Sequence, residues 1–136
     1  MIYEFTIQYV TIDEKGNDKT VKETYATEKF NFFSEVEAFA LEEFAFCKAI
    51  DVIAIKRSAV KEIANRLNDL NDLVWEATVQ QSTTIDDVEK IMKYRMLLFA
   101  PSFDAAKTFI GQYMQQGYGD MELVGLKQTK IKDIFL

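Results

Sequence analysis

Apolar and polar residues alternate from the start of the chain: Tyr3, Phe5, Ile7 and Tyr9 fall on one side, Glu4, Thr6 and Gln8 on the other. A period of two sends successive side chains to opposite faces, so Met1 to Ile12 reads as a half-buried strand. Asp13-Glu14-Lys15-Gly16-Asn17-Asp18 is a polar break in which Gly16 and Asn17 can take positive φ. The Thr-, Val- and Tyr-bearing run from about Lys19 to Thr27 then returns as a hairpin partner. After Phe33 the period changes to 3.6. Ser34 with Glu37 three residues on has the form of a capping box, and Val36, Phe39, Ala40, Phe44 and Cys47 share one stripe. A helix over 34–49 is predicted, with Glu35 and Glu42 toward solvent and Cys47 as a buried, inert thiol. Val52 to Arg57 returns to a strand pattern that continues irregularly to Ile63.

The same sentence is then said again. Trp75-Glu76-Ala77-Thr78-Val79-Gln80 restates Tyr3-Glu4-Phe5-Thr6-Ile7-Gln8, and Val60-Lys61-Glu62-Ile63 returns as Ile131-Lys132-Asp133-Ile134. The offset is roughly seventy residues, a tandem-repeat signature. The second half predicts a strand over 73–82, a turn over 83–87 and a return strand within 88–100 that Pro101 breaks. Ser102 or Asp104 caps a helix whose face is Ala105, Ala106, Phe109, Ile110, Tyr113 and Met114, with Gly117 as its C-cap. Residues 121–127 and 129–135 close the chain as strand.

Each half thus reads ββαβ, with strand order 2-1-3, all antiparallel. The expected fold class is α+β: two tandem ββαβ repeats with pseudo-twofold symmetry, antiparallel sheet and two packed helices. A single domain over 1–136 is expected, with repeat one about 1–63, a linker about 64–72 and repeat two about 73–136. The linker interleaves Asn65, Asn68, Asp69, Asn71 and Asp72 with leucines. It lacks the glycine and closing glutamate of a calcium loop, so it reads as a solvated connection.

Composition narrows the chemistry. At 136 residues, 49% hydrophobic and with 11 Phe, the chain can bury a sizeable core. It has no histidine, which removes the commonest general base and the commonest transition-metal ligand. The carboxylates Glu35, Glu37, Glu42, Glu43 and Asp86, Asp87, Glu89 sit on predicted solvent faces. No enzymatic activity, cofactor or metal is therefore expected. No apolar run reaches membrane length and no leader pattern opens the chain, so neither membrane partner nor signal peptide is expected. The lone Cys47 fits a reducing compartment, and the expected localisation is cytoplasmic, in a bacterial cell or a phage-infected host. A net charge of -6 weighs against broad attraction to nucleic acid, although it leaves room for a local basic face.

Such a face is the candidate site: Lys22, Tyr25, Lys56, Arg57, Lys93, Tyr94, Arg95 and Lys127 all fall on predicted strands or their ends. Cations interleaved with aromatics are how sequence-tolerant proteins hold single strands, base stacking contributing about 1–3 kcal/mol per base. On this reading the partner is single-stranded DNA. The competing reading makes Tyr3 and Trp75 core and the lysines solvated edge residues that block aggregation, in a homo-oligomeric scaffold without nucleic-acid affinity. A homodimer is expected on either reading, given the Phe and Met content of so small a sheet domain. The repeated Glu-x-Thr-x-Gln marks either a shared binding face or a set of cross-strand pairs.

Ile55-Lys56-Arg57-Ser58, Arg95-Met96-Leu97-Leu98, Phe103-Asp104-Ala105-Ala106 and the closing Thr129-Lys130-Ile131-Lys132-Asp133-Ile134-Phe135 resemble, in order and spacing, an uncharacterised family. This domain of unknown function is found in Bacteroidetes and in the crAss-like phages that infect them. With the duplicated hairpins the resemblance covers nearly the whole chain. It implies a single-stranded-DNA-binding candidate, because phage members travel with replication genes. It implies no residue roles.

Overall fold

The computed structural model describes residues 1–69, 71–116 and 120–136. It forms an α+β protein of two units: Met1–Ser58 with Lys130–Leu136, and Ala59–Thr129. In the first unit β1 (Tyr3–Ile12) and β2 (Asp18–Thr27) form the expected hairpin, α1 (Phe33–Glu43) crosses over, and β3 (Lys48–Arg57) lies beside β1. Asp13 tightens the turn, its Oδ1 accepting from the backbone N–H groups of Lys15 and Asn17, while Gly16 takes φ 79°. In the second unit β4 (Glu62–Asn65) precedes the hairpin of β5 (Leu73–Ile85) and β6 (Val88–Ala100). There α2 (Phe103–Gln115) leads to β7 (Asp120–Gln128), and the chain ends on β8 (Ile131–Phe135) in the first unit.

The antiparallel order 2-1-3 is present in both sheets, and each gains a fourth strand at the edge of the second hairpin strand. The orders are β3-β1-β2-β8 and β4-β6-β5-β7. Both added strands run parallel to their neighbours, so the sheets are mixed rather than wholly antiparallel. The added strands are the two closing phrases, exchanged between halves. Val60-Lys61-Glu62-Ile63 serves the sheet of the second hairpin, and Ile131-Lys132-Asp133-Ile134 that of the first.

In the first unit Tyr3, Phe5 and Ile7 face α1, where Val36 and Ala40 are fully buried. Phe135 of β8 joins this core, its ring 5.1–6.2 Å from those of Phe5, Tyr25, Phe39 and Phe44. In the second unit Trp75, Ala77 and Val79 pack with Met96, Leu98, Ala106 and Ile110. Ser102 caps α2, its Oγ accepting from the Ala105 N–H at 3.2 Å.

Several local expectations are corrected. Helix α1 stops at Glu43 rather than running to 49, because Lys48 already pairs with Val10 and the chain must turn at once after the buried Phe44. Cys47 therefore sits beyond the helix and is only half-buried. The N-cap of α1 is Phe32, with no side-chain cap, so Ser34 and Glu37 form no capping box. The second hairpin turn is tighter than 83–87. Thr83 to Ile85 remain paired, and Asp86 and Asp87, at φ 51° and 63°, make a two-residue turn of the kind that favours Asp, Asn and Gly. The start of the expected linker, Ala64 and Asn65, belongs to β4. Gly117, expected as a C-cap, and Leu70 of the linker lie outside the described residues.

Candidate functional site

The residues of the candidate site divide according to hairpin register. Cross-strand partners in an antiparallel pair share a face. Tyr25 opposes Phe5, and Tyr94 opposes Val79, so both tyrosines lie on the helix-covered faces. Tyr25 packs among the rings of Phe5, Phe44 and Phe135, and Tyr94 against the second core. Burial raises the phenol pKa of each, for Tyr94 with a further push from the Glu62 carboxylate. Arg57 opposes Tyr3 and is exposed on the helix side of β3.

The remaining five cations share the opposite faces, organised by the Glu-x-Thr-x-Gln stretches at the centre of each sheet. In the first unit Glu4 opposes Lys56, Thr6 opposes Thr24 and Gln8 opposes Lys22. The Lys56 ammonium lies 3.5 Å from Glu4 Oε2, and the hydroxyls of Thr6 and Thr24 share a 3.0 Å hydrogen bond. In the second unit Glu76 opposes Lys127, Thr78 opposes Arg95 and Gln80 opposes Lys93. Lys127 Nζ lies 3.3 Å from Glu76 Oε2. The carboxylates are the sheltered partners, with side chains 20% and 14% exposed against 74% and 73% for the lysines. The recurrence of Glu-x-Thr-x-Gln is thus matched by the same Glu–Lys and Gln–Lys neighbours in both units.

An open depression of about 350 Å³ on the second face is lined by Glu76, Thr78, Arg95, Gly125, Leu126 and Lys127. A Cβ on Gly125 would meet Thr78 at an ordinary 3.6 Å, and Ala54 takes the matching place opposite Thr6. The glycine is therefore not needed to clear space. Next to it both third strands carry a bulge, at Ile53 and at Val124, each breaking the register beyond the central threonine. Bulges on outer strands disrupt the ladder another chain could extend.

Sequence reasoning placed these cations on strands but missed which face each takes. The signal was present: a turn closing at Ile12 and Asp18 opposes Tyr25 to Phe5, and one closing at Ile85 and Val88 opposes Tyr94 to Val79. The acidic residues of the second turn serve the turn itself. Among the described residues no group of carboxylates and thiols is placed to hold a metal ion, and no helix is long and apolar enough to cross a membrane.

Two further half-buried phenols make stability sensitive to alkali. Tyr113 is pushed up to about 12 by burial first, then by its hydrogen bond to Glu62 and that carboxylate's charge. Tyr9 is raised chiefly by its hydrogen bond to Glu23. A raised phenol pKa means that the folded state holds the proton more tightly than the unfolded one. Its contribution is complete below the ordinary value of 10 and is lost as pH climbs through the folded values. Circular dichroism followed with tyrosinate absorbance should therefore show unfolding setting in above pH 10. Tyr113→Phe should soften the dependence near pH 12.

Fold and face together define a class: a small α+β protein whose exposed sheet faces are polar and laced by ion pairs. Within it the chain belongs to a family described as a domain of unknown function (DUF4494), whose model matches residues 1–136. Comparison with curated proteins and with solved structures finds no match.

Proposed function

We propose that this chain is a non-enzymatic protein-interaction module, a duplicated ββαβ scaffold acting in a reducing, cytoplasmic setting. One observation carries the reading: Lys22, Lys56, Lys93, Arg95 and Lys127 lie on the sheet faces opposite those of Tyr25 and Tyr94. Base stacking needs aromatic rings beside the cations that hold the phosphates. Here Tyr25 and Tyr94 lie on the helix side, while Lys56 and Lys127 are held by Glu4 and Glu76. The second reading is single-stranded nucleic acid in a phage or bacterial replication setting. The exposure of Lys22, Lys93 and Arg95 on the polar faces favours it.

Anisotropy of a fluorescent oligo-dT separates the two. At about 50 mM salt, where phosphate contacts are strong, the interaction module leaves the anisotropy unchanged. Saturable binding whose logarithm falls with log salt at about -0.7 per phosphate neutralised, and which weakens in Lys93→Ala/Arg95→Ala, would replace it with the nucleic-acid reading.

A further inference from the structure

We propose that two copies of this chain pair antiparallel along the outer edge of β6 between Val88 and Tyr94, about a twofold axis at Ile91. The inference rests on the protein-interaction reading and names its partner. Among the described residues, pairing with β7 reaches Ser82 opposite Asp120, and pairing with β4 begins at Glu62 opposite Met96. Toward its turn the β5–β6 hairpin runs on to Ile85 opposite Val88, and among the described residues no strand pairs with the outer edge of β6 from Val88 to Tyr94. On this hairpin Ile85, Val88, Ile91 and Met92 are 52–62% exposed.

The free edge is competent to pair. The Arg95 carbonyl faces outward, accepting from the Lys61 N–H at 2.9 Å. Backbone groups alternate along an antiparallel strand, so Glu89, Ile91 and Lys93 turn their N–H and C=O the same way, away from β5. The β5–β6 register runs from Leu73 to Ala100 without a shift, whereas β3 and β7 are each broken by a bulge. This edge lacks the device that blunts the others.

Charge then selects the register. Pairing about Ile91 sets Glu89 of each copy opposite Lys93 of the other, flanking an Ile91–Ile91 contact, and Lys90 opposite Met92. Sliding to put Lys90 at the axis opposes two lysines. Sliding the other way, to Met92, sets Ile91 against Lys93 and brings Glu89 to Arg95, whose carbonyl already serves Lys61. Opposite charges directly across a strand pair stabilise it and like charges destabilise it. An interface this small belongs to the weak, transient class.

Sedimentation equilibrium of the full chain from about 10 to 500 µM tests the pairing, a range suited to weak interfaces. The wild type should self-associate reversibly. Glu89→Lys and Lys93→Glu should each weaken association roughly tenfold through two like-charge contacts per dimer. The double variant Glu89→Lys/Lys93→Glu should restore it. Ile91→Pro, which removes an N–H that β5 does not use, should abolish it while far-UV dichroism stays unchanged. A wild type monomeric throughout, association indifferent to the single charge changes, or a double variant that fails to recover would overturn edge pairing. The parallel oligo-dT titration separates the two failures: a monomer that ignores DNA leaves the interaction reading standing, while a monomer that binds DNA overturns both.

Discussion

Deleting Lys130–Leu136 should unfold the first unit, although those residues stand farthest in sequence from the hairpin they support. The deletion removes Ile131 and Ile134, 6% and 5% exposed, together with the Phe135 ring at the meeting point of four others. Loss of a single buried large side chain costs about 2–5 kcal/mol. Three such losses match the roughly 5–15 kcal/mol that holds a whole domain together. The deletion also strips the Thr27 hydroxyl of the Phe135 carbonyl that accepts from it at 3.1 Å. Urea denaturation followed by circular dichroism should show lost strand signal before denaturant is added. The milder Phe135→Ala should leave a folded chain about 3 kcal/mol less stable, the low end for Phe because this ring is half-buried. A truncated chain with the wild-type midpoint would contradict the role given to β8.

Trp75→Ala should have the second largest effect. The indole is 6% exposed, its N–H donates to the Ala100 carbonyl at 2.9 Å, and its edge meets Phe103 at 6.0 Å. It thereby ties β5 to the end of β6 and to the first residue of α2. Truncation should cost about 3–5 kcal/mol. Trp75→Phe, which keeps an aromatic ring and loses the hydrogen bond, should cost about 1–2 kcal/mol. Dichroism midpoints check both, and near-equal costs for the two substitutions would show that the hydrogen bond, rather than the ring, holds this corner.

Much of this was legible in the chain. Alternation located the hairpins and the faces of β1 and β5, and the bounds of β6 coincide with the stretch that Pro101 ends. The apolar face of α2 follows the 3.6 period closely. Helix α1 was overextended because Phe44 and Cys47 continue its period, while the signal that ends it, pairing of Lys48 with Val10, is non-local. The site was legible in residue type and missed in orientation. Tyr25 and Tyr94 read as sheet aromatics, and only hairpin register assigns them to the helix side. The exchange of closing strands was not legible at all. Val60-Lys61-Glu62-Ile63 and Ile131-Lys132-Asp133-Ile134 are so alike that either could edge either sheet, and nothing within four residues says which.

That exchange is the claim on which the rest depends, since it decides what each sheet edge leaves free. Cross-strand nuclear Overhauser contacts in the full chain test it directly. The account predicts contacts between Ala26 and Ile134 and between Thr24 and Ile131 in one sheet, and between Ile63 and Leu97 in the other. Contacts joining Ile63 to Ala26 and Ile134 to Leu97, with each closing strand kept in its own half, would contradict it.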